Sequence, residues 1–287
     1  MGNLRHRGDA MRNRQKNQVI FLVFLLLLNF LLQEMLLYRS RASILKENTC
    51  MSSSFREQKL SQDLYEALQK ASAKGEEFAD LLTTTMLQGS FYPERISADS
   101  DPYVHFKSGE YAFLKKCYQA IWGDLEVFPI PDRNLTNATE SFYYTDTFGS
   151  SRNFGGTRVH EGCDIFGQKN ISGFYPVISM TAGTVEKVGW LPLGGYRIGI
   201  RGPHGGYFYY AHLSEYEKEF QEGDSVCAGE ILGYMGNTGY GDEGTTGKFP
   251  VHLHLGIYII SPDNREVSVN PYYILQAMEK KLRKYAY

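Results

Sequence analysis

The chain has 287 residues, of which 43% are hydrophobic, a normal value for a globular protein that argues against general disorder. Its 30 Lys and Arg and 32 Asp and Glu give a formal net charge of -2, so charge gives no reason to expect a nucleic-acid partner. The 29 glycines, 17 phenylalanines and 21 tyrosines favour a β-rich body with many tight turns. The length allows one anchor, one small domain and one domain of ordinary size.

An almost continuously apolar run from Val19 to Tyr38 is the first feature along the chain. A helix needs about 20 such residues to cross a bilayer. Because positive charge stays in the cytoplasm, we predict a cytoplasmic tail over residues 1–17 and a single transmembrane anchor in the cell membrane over residues 18–38, with the rest extracytoplasmic. A cleaved signal peptide is the alternative, but its apolar core would be shorter and its cleavage site richer in small residues. The basic residues that precede the run are Arg5, Arg7, Arg12, Arg14 and Lys16.

Residues 39–127 are predicted to form a juxtamembrane and helical region. A polar linker comes first, from Ser40 to Phe55, and three stretches with apolar residues at three- and four-residue spacing follow it. The first stretch is open to two interpretations, a solvated stalk or a coiled-coil segment. The other two are expected to pack on each other or on the main domain. The three stretches run from Leu60 to Ala71, from Phe78 to Met86 and from Tyr111 to Trp122.

Four cysteines follow the apolar run, on the side where disulfides are permitted. Four cysteines allow three pairings, and their spacing selects none of them. No close pair suggests a thiolate metal site, so we expect free, partly buried thiols. The four are Cys50, Cys117, Cys163 and Cys227.

Residues 128–275 are predicted to form the main domain, and residues 276–287 a C-terminal tail. The domain begins with a connection rich in Pro, Asn and Thr, in which Asn134 and Asn137 match glycosylation sequons. After Asp146, short β-branched or aromatic runs alternate with glycine, the pattern of an antiparallel all-β domain. Those runs are residues 176–180, 184–188, 196–201, 207–213 and 251–260.

Two histidines alternate with apolar residues near the end of this domain. If Val251 to Leu255 is a strand, the apolar residues point into a core, whereas His252 and His254 point together to the other face, about 7 Å apart. Two imidazoles on one face can share a metal site, or one can bind while the other moves protons. Two surface histidines on a half-exposed strand are the alternative.

A second group combines His160 with Asp164, a nitrogen and a carboxylate oxygen that are both good zinc ligands. His160-Glu161 also resembles the start of the helical zincin motif HExxH. Glycines at 155, 156 and 162 argue against a helix, because glycine costs about 1 kcal/mol in a helix interior. We therefore expect a loop entering a strand, with Glu161 as a solvated or supporting carboxylate.

A third element is His212, at the end of an aromatic run. Together the three elements resemble the M23 peptidase family, which includes lysostaphin and the LytM-like autolysins. The HxxxD motif is His160 to Asp164, the single histidine is His212 and the HxH motif is His252 to His254, in the family's order. The resemblance covers about residues 152–273. It implies a mainly β fold with an antiparallel β-sheet peptidase core of the lysostaphin-like, duplicated-hybrid-motif type.

The resemblance also implies a role for each residue. His160, Asp164 and His254 would bind Zn²⁺, and His212 and His252 would be catalytic without binding the metal. The acid and base roles of these two histidines stay undivided. The implied activity is zinc-dependent endopeptidase cleavage of cell-wall peptidoglycan, in a cross-bridge or a stem peptide, so the expected partners are a peptidoglycan peptide and the membrane. An insertion over residues 240–249 is expected to form a loop at the rim of the cleft.

Two other functions use the same residues. Some family relatives have lost their zinc ligands and act as scaffolds or activators in cell-wall remodelling or sporulation, but every ligand is present here. Two histidines and one carboxylate can also bind iron in an oxygenase. In cupin-like barrels, however, HxH precedes the remaining ligand, whereas here it comes last.

Overall fold

The computed structural model describes residues 2–72, 75–133, 142–153 and 156–287. The two sequons at Asn134 and Asn137 lie outside these residues. The first helix, α1 (Gly2–Arg41), carries the predicted anchor. From Val19 to Leu37 its large apolar side chains are exposed, with Leu26 71% exposed. Within the described part of the chain, this helix alone is long and apolar enough to cross a membrane, and it lies near the N-terminus as a signal sequence also would.

Four further helices form one layer beside the sheet. The stalk and linker interpretations are wrong, because Phe55, Leu64 and Leu68 are buried in the same hydrophobic core as the sheet. Serine side chains cap two of these helices, since Ser52 accepts from the backbone N–H of Phe55 at 3.2 Å and Ser61 accepts from that of Leu64 at 3.3 Å. The helices are α2 (Ser53–Arg56), α3 (Gln62–Ala71), α4 (Glu76–Gln88) and α5 (Asp101–Tyr118), which continues into a π-helical turn over Gln119–Gly123.

The helical layer is joined to the sheet by polar contacts as well as by packing. Arg56 of α2 donates through Nε to the Ser268 carbonyl of the sheet at 2.8 Å and through Nη2 to the Ser268 hydroxyl at 2.7 Å. Within the helical layer, the buried Trp122 ring donates to Gln58 at 2.7 Å. Tyr65 lies against Met278, with 3.9 Å between the hydroxyl and the sulfur. The two layers therefore share one core.

The sheet is antiparallel, as the alternation of short apolar runs predicts, and the mainly β fold class is confirmed. The strands are β1 (Asp132–Arg133), β2 (Phe142–Tyr144), β3 (Ser151–Arg152), β4 (Arg158–Val159), β5 (Cys163–Gly167), β6 (Pro176–Ile178), β7 (Gly183–Leu191), β8 (Gly195–Arg201), β9 (Tyr207–Tyr216), β10 (Ser225–Val226), β11 (Ile231–Met235), β12 (His252–Ile260), β13 (Glu266–Val269) and β14 (Lys284–Tyr285). The central strands of the sheet follow the order β10-β7-β8-β9-β12-β5-β2, while β13 also pairs with β12, and β11 pairs with β6 and β9. Small two-stranded pairs form from β1 and β14 and from β3 and β4.

Strand β12 shows why the site lies where it does. Leu253, Leu255 and Ile257 are fully buried in the core, and His252 and His254 alternate with them on the opposite face. The chain then forms β13 and α6 (Tyr272–Met278), whose Ile274 and Leu275 close the core beneath the sheet. The apolar side of β12 thus stabilises the domain, and its other side is free for chemistry.

Candidate metal centre and cleft

Three side-chain atoms meet at one point on the open face of the sheet. His160 Nε2 lies 2.9 Å from His254 Nδ1 and 3.0 Å from Asp164 Oδ1, and His254 Nδ1 lies 3.0 Å from the same oxygen. His160 and Asp164 are buried, and His254 is nearly so. Two imidazole nitrogens and one carboxylate oxygen therefore form a triangle with almost equal sides.

Strand pairing and one backbone hydrogen bond assemble this triangle. His254 of β12 stands directly opposite Asp164 of β5 in the antiparallel register, so the two side chains share a face. His160 follows β4, and its Nδ1 donates to the carbonyl of Thr147 at 3.0 Å. That bond leaves Nε2, the nitrogen in the triangle, as the lone-pair nitrogen of the neutral ring.

Gly162 provides the space that the His254 ring occupies. A Cβ atom at this position would lie 2.5 Å from the carbonyl oxygen of Leu255 and 2.6 Å from Cε1 of His254. Those separations are far below van der Waals contact, so a larger residue would displace the ring or the strand. The glycine of the HxxxD motif is therefore part of the site's construction.

The three donors fit a divalent metal ion in chemistry and in spacing. Zinc bonds of about 2.0–2.2 Å separate the ligands of a tetrahedral ion by about 3.3–3.6 Å, a few tenths of an ångström more than the sides of this triangle. Burial alone raises the pKa of Asp164, but the interactions of its carboxylate with the neighbouring His160 and His254 rings outweigh burial and hold that pKa well below its usual range. Burial lowers the pKa of His254. An ionised carboxylate and a neutral imidazole are the states in which these groups bind metals.

His212 enters the cleft through an irregularity in β9. The register with β8 shifts between Tyr196 and Ile198, and His212 has a φ of 62°, in the left-handed region that few non-glycine residues adopt. Its Nδ1 donates to the Thr238 carbonyl at 2.8 Å, and its backbone N–H donates to Gly194 at 2.8 Å. Nε2 of the neutral ring consequently keeps its lone pair.

His252 lies beside His212, with 4.7 Å between the ring centroids. Its Nδ1 donates to the Pro250 carbonyl at 2.8 Å, and its Nε2 lies 3.8 Å from Asp164 Oδ1. Burial lowers the pKa of both rings, and the neighbouring imidazoles lower that of His212 further. Two neutral imidazoles therefore stand next to the triangle without belonging to it.

Aromatic side chains from the loop before β12 cover these two histidines. The Phe249 ring lies 4.6 Å from that of His212 and 5.0 Å from that of His252. Tyr240 packs on Phe249 at 4.7 Å. The expected loop at the rim of the cleft is thus an aromatic roof over the histidines, a detail that no local sequence pattern indicates.

The site opens into a cleft of about 960 Å³. Arg152 reaches Asp164 from the side away from the imidazoles, its Nη2 donating to Oδ2 at 2.5 Å. Sequence reasoning did not single out the arginines and tyrosines of the cleft, because they belong to no motif and single residues of these types are common on exposed strands. The basic and tyrosine side chains that line the cleft are Arg152, Arg158, Lys187, Arg197, Tyr207, Tyr209, Tyr240 and Tyr258.

The structure brings together, in this cleft, all five residues that the sequence motifs identified: His160, Asp164, His212, His252 and His254. Glu161 is exposed and outside the triangle. Cys163 points away from it, with its thiol 3.5 Å from the Thr145 carbonyl. The four cysteines are free, three of them buried.

Comparison with known proteins agrees with the family resemblance of the sequence motifs. The model of peptidase family M23 matches residues 158–271, which include the five residues. The L-Ala–D-Glu endopeptidase of Bacillus subtilis (strain 168) is 42% identical over 173 residues, 60% of this chain and 49% of that protein. The chain thus spans about half the length of this curated relative.

A solved structure from Ruminococcus gnavus ATCC 29149, whose provisional name is glycyl-glycine endopeptidase lytM, is 41% identical to this chain. The match covers 85% of this chain and 97% of that one, with a TM-score of 0.73. The catalytic domain of lysostaphin from Staphylococcus simulans is 27% identical over 48% of this chain and 92% of its own, with a TM-score of 0.37. From the motif order, the geometry of the cluster and the extent of the Ruminococcus match, we conclude that the chain belongs to peptidase family M23.

Proposed function

We propose that this protein is a zinc-dependent endopeptidase that hydrolyses the L-Ala–D-Glu bond in the stem peptide of peptidoglycan. The observation that carries the proposal is the triangle of His160, Asp164 and His254, with two neutral histidines beside it. The choice of bond follows the name of the Bacillus relative. A glycine cross-bridge is the second candidate, favoured by the name of the Ruminococcus relative.

Zinc bound by the three residues would supply a water of lowered pKa and a Lewis acid for the scissile carbonyl. Three protein ligands leave one coordination position for that water. The zinc assignment is supported by the ligand set, since two imidazoles and one carboxylate are a common combination in catalytic zinc sites.

His212 and His252 would move the protons of the reaction. Each ring donates its Nδ1 hydrogen to a backbone carbonyl, so each Nε2 can accept a proton and later release it to the leaving amine. Their lowered pKa keeps them in the neutral form that a base requires. The roof of Tyr240 and Phe249 limits water around them, which strengthens electrostatic interactions in the site.

A scaffold without activity is the main alternative, and iron in place of zinc is the second. All three donors and both histidines are present, and His160, His212 and His252 each donate Nδ1–H to a backbone carbonyl that orients the ring, which favours an enzyme. Metal analysis of protein purified without added metal separates zinc from iron. Protein that binds no zinc under any loading condition would contradict both the site and the activity.

The topology is part of the proposal. Arg12, Arg14 and Lys16 precede the apolar part of α1, so we place the N-terminus in the cytoplasm and the peptidase domain outside. Protease added to intact protoplasts should then remove the region after Tyr38. Full protection of this region would reverse the orientation, and a mature chain that begins after the apolar run would identify a signal peptide.

The substrate is tested by digesting purified cell walls of several chemotypes and analysing the fragments by mass. Cleavage at L-Ala–D-Glu leaves fragments with a new N-terminal D-Glu, whereas cleavage in a glycine bridge leaves a new N-terminal glycine. The Asp164→Ala variant is the control for contaminating hydrolases. New N-terminal glycine alone would select the second candidate, and intact walls with a zinc-loaded enzyme would favour the scaffold.

A further inference from the structure

Arg197 lines the cleft, and its guanidinium group has no hydrogen-bond or ion-pair partner among the described residues. Its Nη1 is buried and has no hydrogen-bond partner in the described part of the chain, and its guanidinium forms no ion pair with a described carboxylate. Two other cleft cations are paired, since Arg152 binds Asp164 and Lys187 lies 3.2 Å from Glu222. A buried N–H group without a partner is unfavourable, so Arg197 is arranged for a group that the protein itself does not supply.

Strand register places Arg197 close to the reaction site. It lies on β8 opposite the irregularity of β9 that contains Ala211 and His212. Ala211 in turn pairs with His254 on β12. Two strand spacings of about 4.8 Å therefore separate the backbone of Arg197 from that of His254, on a shared face of the sheet. An arginine side chain can bridge much of that distance.

A second arginine, Arg158, lines the same cleft. Arg158 Nη2 lies 3.3 Å from the Tyr240 hydroxyl, and its Nε is buried without a partner among the described residues. Both arginines line the cleft together with Tyr209, whose ring centroid is 5.9 Å from that of His254.

The acidic groups of the cleft do not neutralise this pair. Glu186 is bound by Arg201 through both carboxylate oxygens. Glu161 and Glu266 also line the cleft, and neither forms an ion pair with Arg197 or Arg158 in the part of the chain that the structure describes.

We propose that Arg197, assisted by Arg158, forms a subsite for a carboxylate on the substrate residue that provides the scissile nitrogen. The inference rests on the proposed function and deepens it. In an L-Ala–γ-D-Glu peptide, the carbon that bears the scissile nitrogen also carries a free α-carboxylate. A guanidinium group binds a carboxylate through two parallel hydrogen bonds, with both charge and geometry matched. A glycine bridge has no carboxylate at that place.

Two peptidoglycan bonds offer this group. γ-Linked D-Glu carries it unless the carboxyl is amidated to isoglutamine. The D,D-cross-link to diaminopimelate also carries a carboxylate on the carbon that bears the scissile nitrogen, whereas a cross-link to the side chain of lysine does not. The subsite therefore predicts a preference for the carboxylate in either setting and a loss of that preference on amidation.

The test measures binding and turnover separately. Binding is measured by calorimetry with the zinc-loaded His252→Ala variant, using L-Ala–γ-D-Glu–L-Lys, its isoglutamine form and a D-Ala–diaminopimelate dimer. We expect amidation to weaken binding about 10- to 100-fold, the range for a charge-assisted hydrogen bond. Adding Arg197→Gln should remove that difference, and Arg197→Lys should restore part of it. Lys187→Gln, which removes an exposed, ion-paired charge, is the control and should keep the full difference.

The outcomes distinguish this subsite from the proposed activity. Equal binding of the acid and the amide, or a difference that persists in Arg197→Gln, would overturn the subsite even if the enzyme is active. Turnover of the same peptides by the wild-type chain tests the activity. A binding preference without turnover would retain the subsite and reject the endopeptidase. Stronger binding of the diaminopimelate dimer than of the tripeptide would support the carboxylate subsite but assign the cleaved bond to the D,D-cross-link.

Discussion

The substitution Gly162→Ala tests whether the glycine in the HxxxD motif is required for metal binding. The new Cβ would lie 2.5 Å from the Leu255 carbonyl oxygen and 2.6 and 2.8 Å from Cε1 and Nε2 of His254. The carbonyl belongs to a paired strand and cannot move alone, so the strand and the His254 ring must shift together. Overpacking of this kind costs about 1–3 kcal/mol.

The expected result has two parts. At about 2–4 °C per kcal/mol for a chain of this size, the Tm should fall by about 2–12 °C. Because His254 would leave its position beside Asp164, zinc affinity should fall about 10- to 100-fold, the usual effect of misplacing a ligand's support. Differential scanning fluorimetry and competition with a chromophoric chelator measure the two quantities on the same sample.

Gly167→Ala is the matched control, because Gly162 directly precedes strand β5 and Gly167 ends it. Its Cβ would meet the Tyr175 ring at 2.0 Å, away from the donor triangle. It should lower the Tm while leaving zinc affinity unchanged. If Gly162→Ala kept the Tm and the zinc affinity of the wild type, the proposed packing would be refuted. If both variants lost zinc equally, general destabilisation would be the cause.

Other predictions concern the roles within the site. His254→Ala should lose both zinc and activity, measured by metal analysis and turnover, because two donors remain where three are needed. Retention of zinc by this variant would show that His254 is not a ligand. His212→Ala should keep zinc and fold but lose about 10²- to 10⁴-fold in kcat, the usual contribution of a general acid or base; near-normal specific activity would reduce it to a packing residue. Phe249→Ala should keep zinc and lower kcat/KM, since water then reaches His212; an unchanged kcat/KM would show that the roof is dispensable.

The local periodicity of apolar residues was sufficient to predict much of the secondary structure. Alternation along β12 correctly predicted which side chains enter the core, because successive residues of a strand face opposite sides. Three- and four-residue spacing predicted α4 and the later part of α5 for the same kind of reason. The motif order was enough to recognise the family, since it depends on residue identity alone.

Local sequence patterns did not predict the contacts between segments that are distant along the chain. The segment from Ser40 to Phe55 looks like a linker, yet Leu45, Cys50 and Phe55 are buried. Its polar average hides a few apolar residues whose burial depends on partners far along the chain. The first amphipathic stretch likewise gives no sign of whether its apolar side packs on α6 or remains a stalk. Only the tertiary fold decides which surface covers it.

The candidate site divides in the same way. The sequence alone determined the five candidate residues and which donors are chemically suited to a metal, because these follow from side-chain type and motif order. The tertiary structure decided that three of the donor atoms lie within 4.8 Å of one another and that His212 turns into the cleft at an irregularity of β9. It also decided that the buried Nη1 of Arg197 has no hydrogen-bond partner among the described residues. Distance, backbone turning and the lack of a partner are properties of segments brought together from distant parts of the chain, and no single segment contains them.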